Sequence, residues 1–154
     1  MECRSDVAGA GVGVRFDKAT SNTGTHIGNL WSSTGTLLGR VTFTNETASG
    51  WQQANFPAPI PISPNTTYII SYFAPNGHYS VNVNFFTSSG VDSGPLHALR
   101  SGVDGPNGVY RYGSTSGFPN SSWENANYWV DVAFVPFDTT PLAAISLSAP
   151  STST

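Results

Sequence analysis

The chain has 154 residues and a formal net charge of −3, with only 10% charged residues against 38% hydrophobic and 12% aromatic. Its six cations, at Arg4, Arg15, Lys18, Arg40, Arg100 and Arg111, form no stripe that would follow a phosphate backbone, which argues against a nucleic-acid reader. No apolar run approaches the roughly 18 residues of a membrane span, so one folded domain with a polar, weakly charged surface is expected.

The start, Met1-Glu2-Cys3-Arg4, has no signal-peptide pattern. Cys3 is the sole cysteine, which excludes an internal disulfide, and its terminal position argues against a structural or catalytic part. Further along, apolar and polar residues alternate repeatedly, and no apolar stripe at helical spacing persists. The pattern predicts an all-β fold.

Val12, Val14 and Phe16 share one face of a first strand. Residues 27–31 and 37–43 give the next pair, a hairpin around Ser32-Ser33-Thr34-Gly35. Residues 51–56 form another strand, after which Pro57, Pro59, Pro61 and Pro64 restrict the chain to extended, edge-like conformations. Residues 66–73 and 79–86 read as the clearest hairpin, turning at Ala74-Pro75-Asn76-Gly77-His78 with Tyr79, Val81, Val83 and Phe85 on one face. Residues 109–112 suggest a short strand. Tyr128, Val130, Val132 and Phe134 mark a last one, expected at the centre of a sheet.

About eight to ten such strands predict an antiparallel two-sheet sandwich, with a jelly roll as one form of it. Residues 1–137 make this module, and residues 138–154, opening Asp138-Thr139-Thr140-Pro141, read as a linker and the start of a following domain.

Residues 87–108 and 113–127 are too long for plain connections, a length that points to function. The first holds a near-repeat, Ser89-Gly90-Val91-Asp92 and Ser101-Gly102-Val103-Asp104. Asp92 and Asp104 would begin a calcium shell, which takes about six to eight oxygens, but the spacing is unlike an EF-hand; the competing expectation is a pair of turn-capping aspartates.

Several motifs fall in one order: Ser5-Asp6-Val7-Ala8-Gly9, Gly13-Val14-Arg15-Phe16, Leu30-Trp31-Ser32-Ser33-Thr34-Gly35, Ala74-Pro75-Asn76-Gly77-His78-Tyr79, Gly94-Pro95-Leu96, Gly108-Val109-Tyr110-Arg111-Tyr112 and Tyr128-Trp129-Val130-Asp131-Val132. Over roughly residues 4 to 137 the chain thereby resembles an uncharacterised bacterial extracellular module, a domain of unknown function. The resemblance implies a β-sandwich within large secreted proteins, beside immunoglobulin-like, cadherin-like and carbohydrate-active domains. It implies no catalytic residue.

A glycosidase needs two carboxylates about 5–5.5 Å or 6.5–9.5 Å apart across a cleft. Glu2, Glu46, Asp92, Asp104, Glu124 and Asp131 sit in no motif that pairs them, and the Gly-x-Ser-x-Gly elbow of a serine hydrolase is absent. A noncatalytic protein is expected.

Sugar binding needs aromatic faces for the pyranose ring and planar or bidentate groups for its hydroxyls. Tyr79, Tyr110, Tyr112, Trp123 and Trp129 supply the rings, and His78, His97, Asp104, Asn107, Arg111 and Asp131 the polar contacts. The chain is therefore expected to be a monomeric carbohydrate-binding module, with no cofactor beyond optional calcium, holding a larger secreted or surface protein on a polysaccharide. The competing expectation is a structural or adhesive spacer whose loops touch neighbouring domains of the same chain. In that case Trp123, Tyr110 and Tyr112 pack inside or against neighbouring domains; Trp31, Trp51 and one of Tyr110 and Tyr112 are candidates for the core under either expectation.

Overall fold

A computed structural model of the chain describes residues 1–138, so the expected linker lies, beyond Asp138, outside the described residues. The described part contains strands and no helix, hence none long and apolar enough to cross a membrane. The strands are β1 (Glu2–Ser5), β2 (Gly9–Lys18), β3 (Ile27–Ser32), β4 (Leu37–Thr42), β5 (Gly50–Ile62), β6 (Tyr68–Phe73), β7 (Val91–Ser93), β8 (Leu96–Ala98), β9 (Val109–Tyr110), β10 (Ser121–Ser122) and β11 (Val130–Pro136). They form antiparallel sheets of six (β4-β3-β6-β1-β8-β7), three (β11-β2-β5) and two (β10-β9).

The six- and three-stranded sheets enclose the core. Val14 and Phe16 of β2 and Val130 and Val132 of β11 meet Leu30 of β3 and Ile70 of β6, as the alternation of these strands requires. Phe16 is fully buried: its ring stacks on Tyr72 at 4.3 Å, meets Phe43 edge-on at 4.8 Å, and lies 4.8 Å from His26. Gly28 of β3 lets the layers close, since a Cβ there would sit 2.8 Å from Val14 Cβ.

Three sequence expectations need correction. Residues 79–86 do not pair with β6: β1 already holds that edge, with Glu2 opposite Ile69 and Cys3 opposite Tyr68. The segment runs instead against residues 124–127, through Asn84 N–H to Glu124 O at 2.8 Å, Phe86 N–H to Asn125 O at 2.9 Å, and an isolated bridge between Asn82 and Asn127. The last strand, β11, is an edge strand, and β2 takes the central place between β11 and β5. Cys3 is a core residue, 6% exposed, and burial pushes its thiol up to about 12, leaving it unreactive.

Other expectations hold. The 27–43 hairpin forms as β3 and β4, and the proline-rich stretch is the edge strand β5. The unassigned 87–108 segment contains the hairpin β7–β8.

A hydrogen-bonded trio around the fully buried His26 ties the 44–49 loop to the sandwich. Glu46 pairs with Lys18 Nζ at 2.8 Å and His26 Nδ1 at 2.8 Å, while His26 Nε2 lies 2.9 Å from Asn22 Oδ1. Burial pushes the Glu46 carboxyl up, but hydrogen bonds from Lys18 and His26 outweigh it and hold the group below its usual 4.5. A carboxyl with a lowered folded pKa stabilises the fold above the unfolded pKa and loses that contribution as pH falls through the folded one. Glu46→Gln is expected to cost about 2–3 kcal/mol at neutral pH in urea unfolding. The gap to wild type should close as pH falls below about 4.5.

Candidate functional site

A cleft of about 260 Å³ opens where β6 ends, bounded by the 73–79 turn, β9 with the 111–119 loop, and Tyr128 ahead of β11. Its floor includes Ile70, Ser71 and Val130, and the Met1 amine donates to Ile70 O at 2.7 Å beside them. Aromatic rings form the wall in a connected series. Tyr79 meets Tyr128 at 5.4 Å, Tyr128 lies 6.5 Å from Tyr110, and Tyr110 meets Tyr112 edge-on at 5.3 Å. Tyr112 stands 80% exposed at the mouth.

Polar groups around these rings are Asn29, Ser116, Thr115 and Arg111. Asn29 Nδ2 donates to Ser116 Oγ at 2.9 Å and its Oδ1 accepts from Arg40 Nε at 2.9 Å, which fixes the far wall. Burial, then the proximity of Tyr112, raises the Tyr79 phenol, and burial pushes Tyr128 up to about 12, so both stay neutral donors at physiological pH. Burial brings the Met1 amine down to about 6, which leaves it largely uncharged at pH 7.

Of the residues singled out from sequence, Tyr79, Tyr110, Arg111 and Tyr112 converge here. His78 is exposed at the turn, in a left-handed backbone conformation at φ 65°, outside the cleft wall. Trp123 is 43% exposed but stands apart from this cleft. Tyr72, Tyr128, Asn29 and Ser116 are the additions that sequence reading missed.

A second, largely apolar cleft of about 400 Å³ gathers His97, Trp129 and Asp131 with Trp51 and Phe85. Their polar groups are already engaged. Asp131 receives both Arg15 Nε and Nη2 at 2.7 Å, and Trp129 Nε1 donates to Asn82 Oδ1 at 2.6 Å. Trp51 does not fill the core: it is 52% exposed, beneath the Arg15 guanidinium at 5.3 Å. Trp31, by contrast, is buried, donating Nε1–H to Ser71 Oγ at 2.9 Å.

The near-repeat divides into two structures. Val91 and Asp92 lie in β7, whereas residues 101–104 form a turn closed by Gly102 N–H to Gly105 O at 2.7 Å. Asp92 is held by His97 Nδ1 at 2.7 Å, and Asp104 by Arg4 and Thr67. Among the described residues, no group of three or more His, Cys, Asp or Glu side chains is arranged to hold a metal ion.

Asn107 is fully buried and acts as a clamp. Its Oδ1 accepts from the N–H groups of Glu2 at 3.0 Å and Gly108 at 2.9 Å, and its Nδ2 donates to Leu99 O at 2.7 Å. It secures β1 to the loop that leads into β9.

An antiparallel sandwich whose long loops build a tyrosine-walled cleft is the class of module defined by this fold and site. The family model of a domain of unknown function, DUF4082, matches residues 1–130, and the chain belongs to that family. No curated protein and no solved structure matches it.

Asn107→Ala should lower stability by about 3 kcal/mol in urea unfolding, because it strands buried backbone groups, whereas a ligand-contacting residue would leave stability unchanged. His97, hydrogen-bonded to Asp92 and paired with Asp6 at 2.9 Å, has its pKa raised above 6.5. Its tie between β8 and the 5–7 turn is therefore intact below that value and loosens as pH rises through the folded pKa. An NMR titration should find the His97 midpoint above 6.5, and Asp92→Asn should bring it down.

Proposed function

We propose that the chain is a noncatalytic carbohydrate-binding module of a larger secreted or surface protein of bacterial origin. The observation that carries this reading is the wall of Tyr79, Tyr128, Tyr110 and Tyr112 beside the Arg111 guanidinium. A pyranose presents a face of C–H groups ringed by hydroxyls; tyrosine rings cover the first, and phenol, amide and guanidinium groups take the second. The volume, about 260 Å³, is near the lower end of the roughly 300–1,000 Å³ of small-ligand sites, so a single sugar unit or chain end is the natural occupant. Membership in the family is compatible with this role but supplies no activity.

One observation favours a second reading, a spacer that packs on neighbouring domains. Val135 and Phe137 are each 52% exposed, and the Phe137 N–H donates to Ala8 O, beside the exposed Val7. This apolar end of the sandwich would suit an interdomain contact. The two readings use different surfaces and separate experimentally.

On a glycan array and in polysaccharide pull-downs, the isolated chain should retain a subset of glycans, and Tyr112→Ala and Tyr79→Ala should each weaken binding about tenfold or more. Phe137→Ser should leave glycan binding unchanged. Absence of binding across broad panels would overturn the carbohydrate reading.

A further inference from the structure

Resting on the carbohydrate reading of the same cleft, we infer that it selects acidic sugars, with Arg111 receiving the carboxylate of a uronic acid. Among the described residues, Arg111 is the charged side chain of the wall and no Asp or Glu lines the cleft, although acidic residues outnumber basic ones nine to six in the chain. Arg4, Arg15 and Lys18 are each paired with a carboxylate, and Arg40 with Asn29. Arg111 is exposed and, like Arg100, which lies outside the cleft, forms no side-chain ion pair or hydrogen bond among the described residues, so its donors are open to a ligand.

The guanidinium lies against the 113–117 loop, whose glycines leave room for it. A Cβ at Gly117 would overlap the Arg111 guanidinium, and one at Gly113 would come within 3.9 Å of its Nε. Backbone, not side chain, therefore borders the charged head. A uronate carries its carboxylate one bond from the sugar ring, so the ring can cover tyrosine while both oxygens meet the planar guanidinium in bidentate fashion. Neutral phenols along the wall add no competing negative charge.

The test uses calorimetry on the chain with oligomers of galacturonate, glucuronate and mannuronate, each against its carboxyl-reduced neutral counterpart. Wild type should bind at least one acidic oligomer about tenfold or more tightly than its neutral partner, with a preference that shrinks as salt rises. Arg111→Gln should abolish the preference, and Arg111→Lys, which keeps the charge but loses the fork, should retain part of it. Gly117→Ala, which displaces the guanidinium without removing it, should also reduce the preference while the melting temperature stays near wild type.

Equal affinity for acidic and neutral oligomers would overturn the charge inference and leave the sugar reading standing. Failure to bind either kind, together with a blank neutral panel, would overturn both. A wild-type preference surviving in Arg111→Gln would remove Arg111 from the assignment.

Discussion

The stack of Phe16 on Tyr72 joins the two layers, and the loops depend on it. Burying a phenylalanine side chain contributes about 1.5–3 kcal/mol, and each well-placed aromatic pair roughly another 0.5–1.5 kcal/mol, so a ring with three aromatic neighbours is a strong local anchor. Tyr72 lies at the end of β6, two residues before the chain turns away towards Tyr79. Fixing Tyr72 fixes the direction in which that turn leaves the sheet. The cleft is thereby built against the aromatic core through Tyr72, although most of its wall is loop.

That arrangement accounts for which features were legible in the sequence. β5, β11 and the Val14–Phe16 part of β2 alternate because one face of each meets the core, and that alternation is local information, whereas β3 and β6 show as short apolar runs. β1 is hidden because it is buried on both faces with a polar residue on each, Glu2, 6% exposed, on one and Ser5, fully buried, beside Cys3 on the other. β7 is hidden because all three of its residues are exposed on a sheet edge. Residues 79–86 have strand-forming side chains, but propensity cannot reveal that β1 occupies the edge they would need.

The site was half legible for a related reason. Tyr110, Arg111 and Tyr112 are sequence neighbours, and Tyr79 stands beside a recognisable turn, so their clustering shows in one dimension. Tyr128 reads as the first inward residue of the last strand, yet the left-handed Trp129, at φ 50°, interrupts the extended backbone between Tyr128 and Val130. Asn107 and Asp131 look like ligand groups by residue type. Only the fold shows that backbone amides and Arg15 already occupy them.

The prolines of β5 have a consequence for how such modules behave together. Pro57, Pro59 and Pro61 are exposed along an edge strand and offer no N–H. A strand from another molecule approaching that edge would meet carbonyl acceptors with too few donors between them to build a ladder. Many copies crowded on one surface would thus resist zipping edge to edge into aggregates, and the small sheet would stay a separate unit at high local concentration.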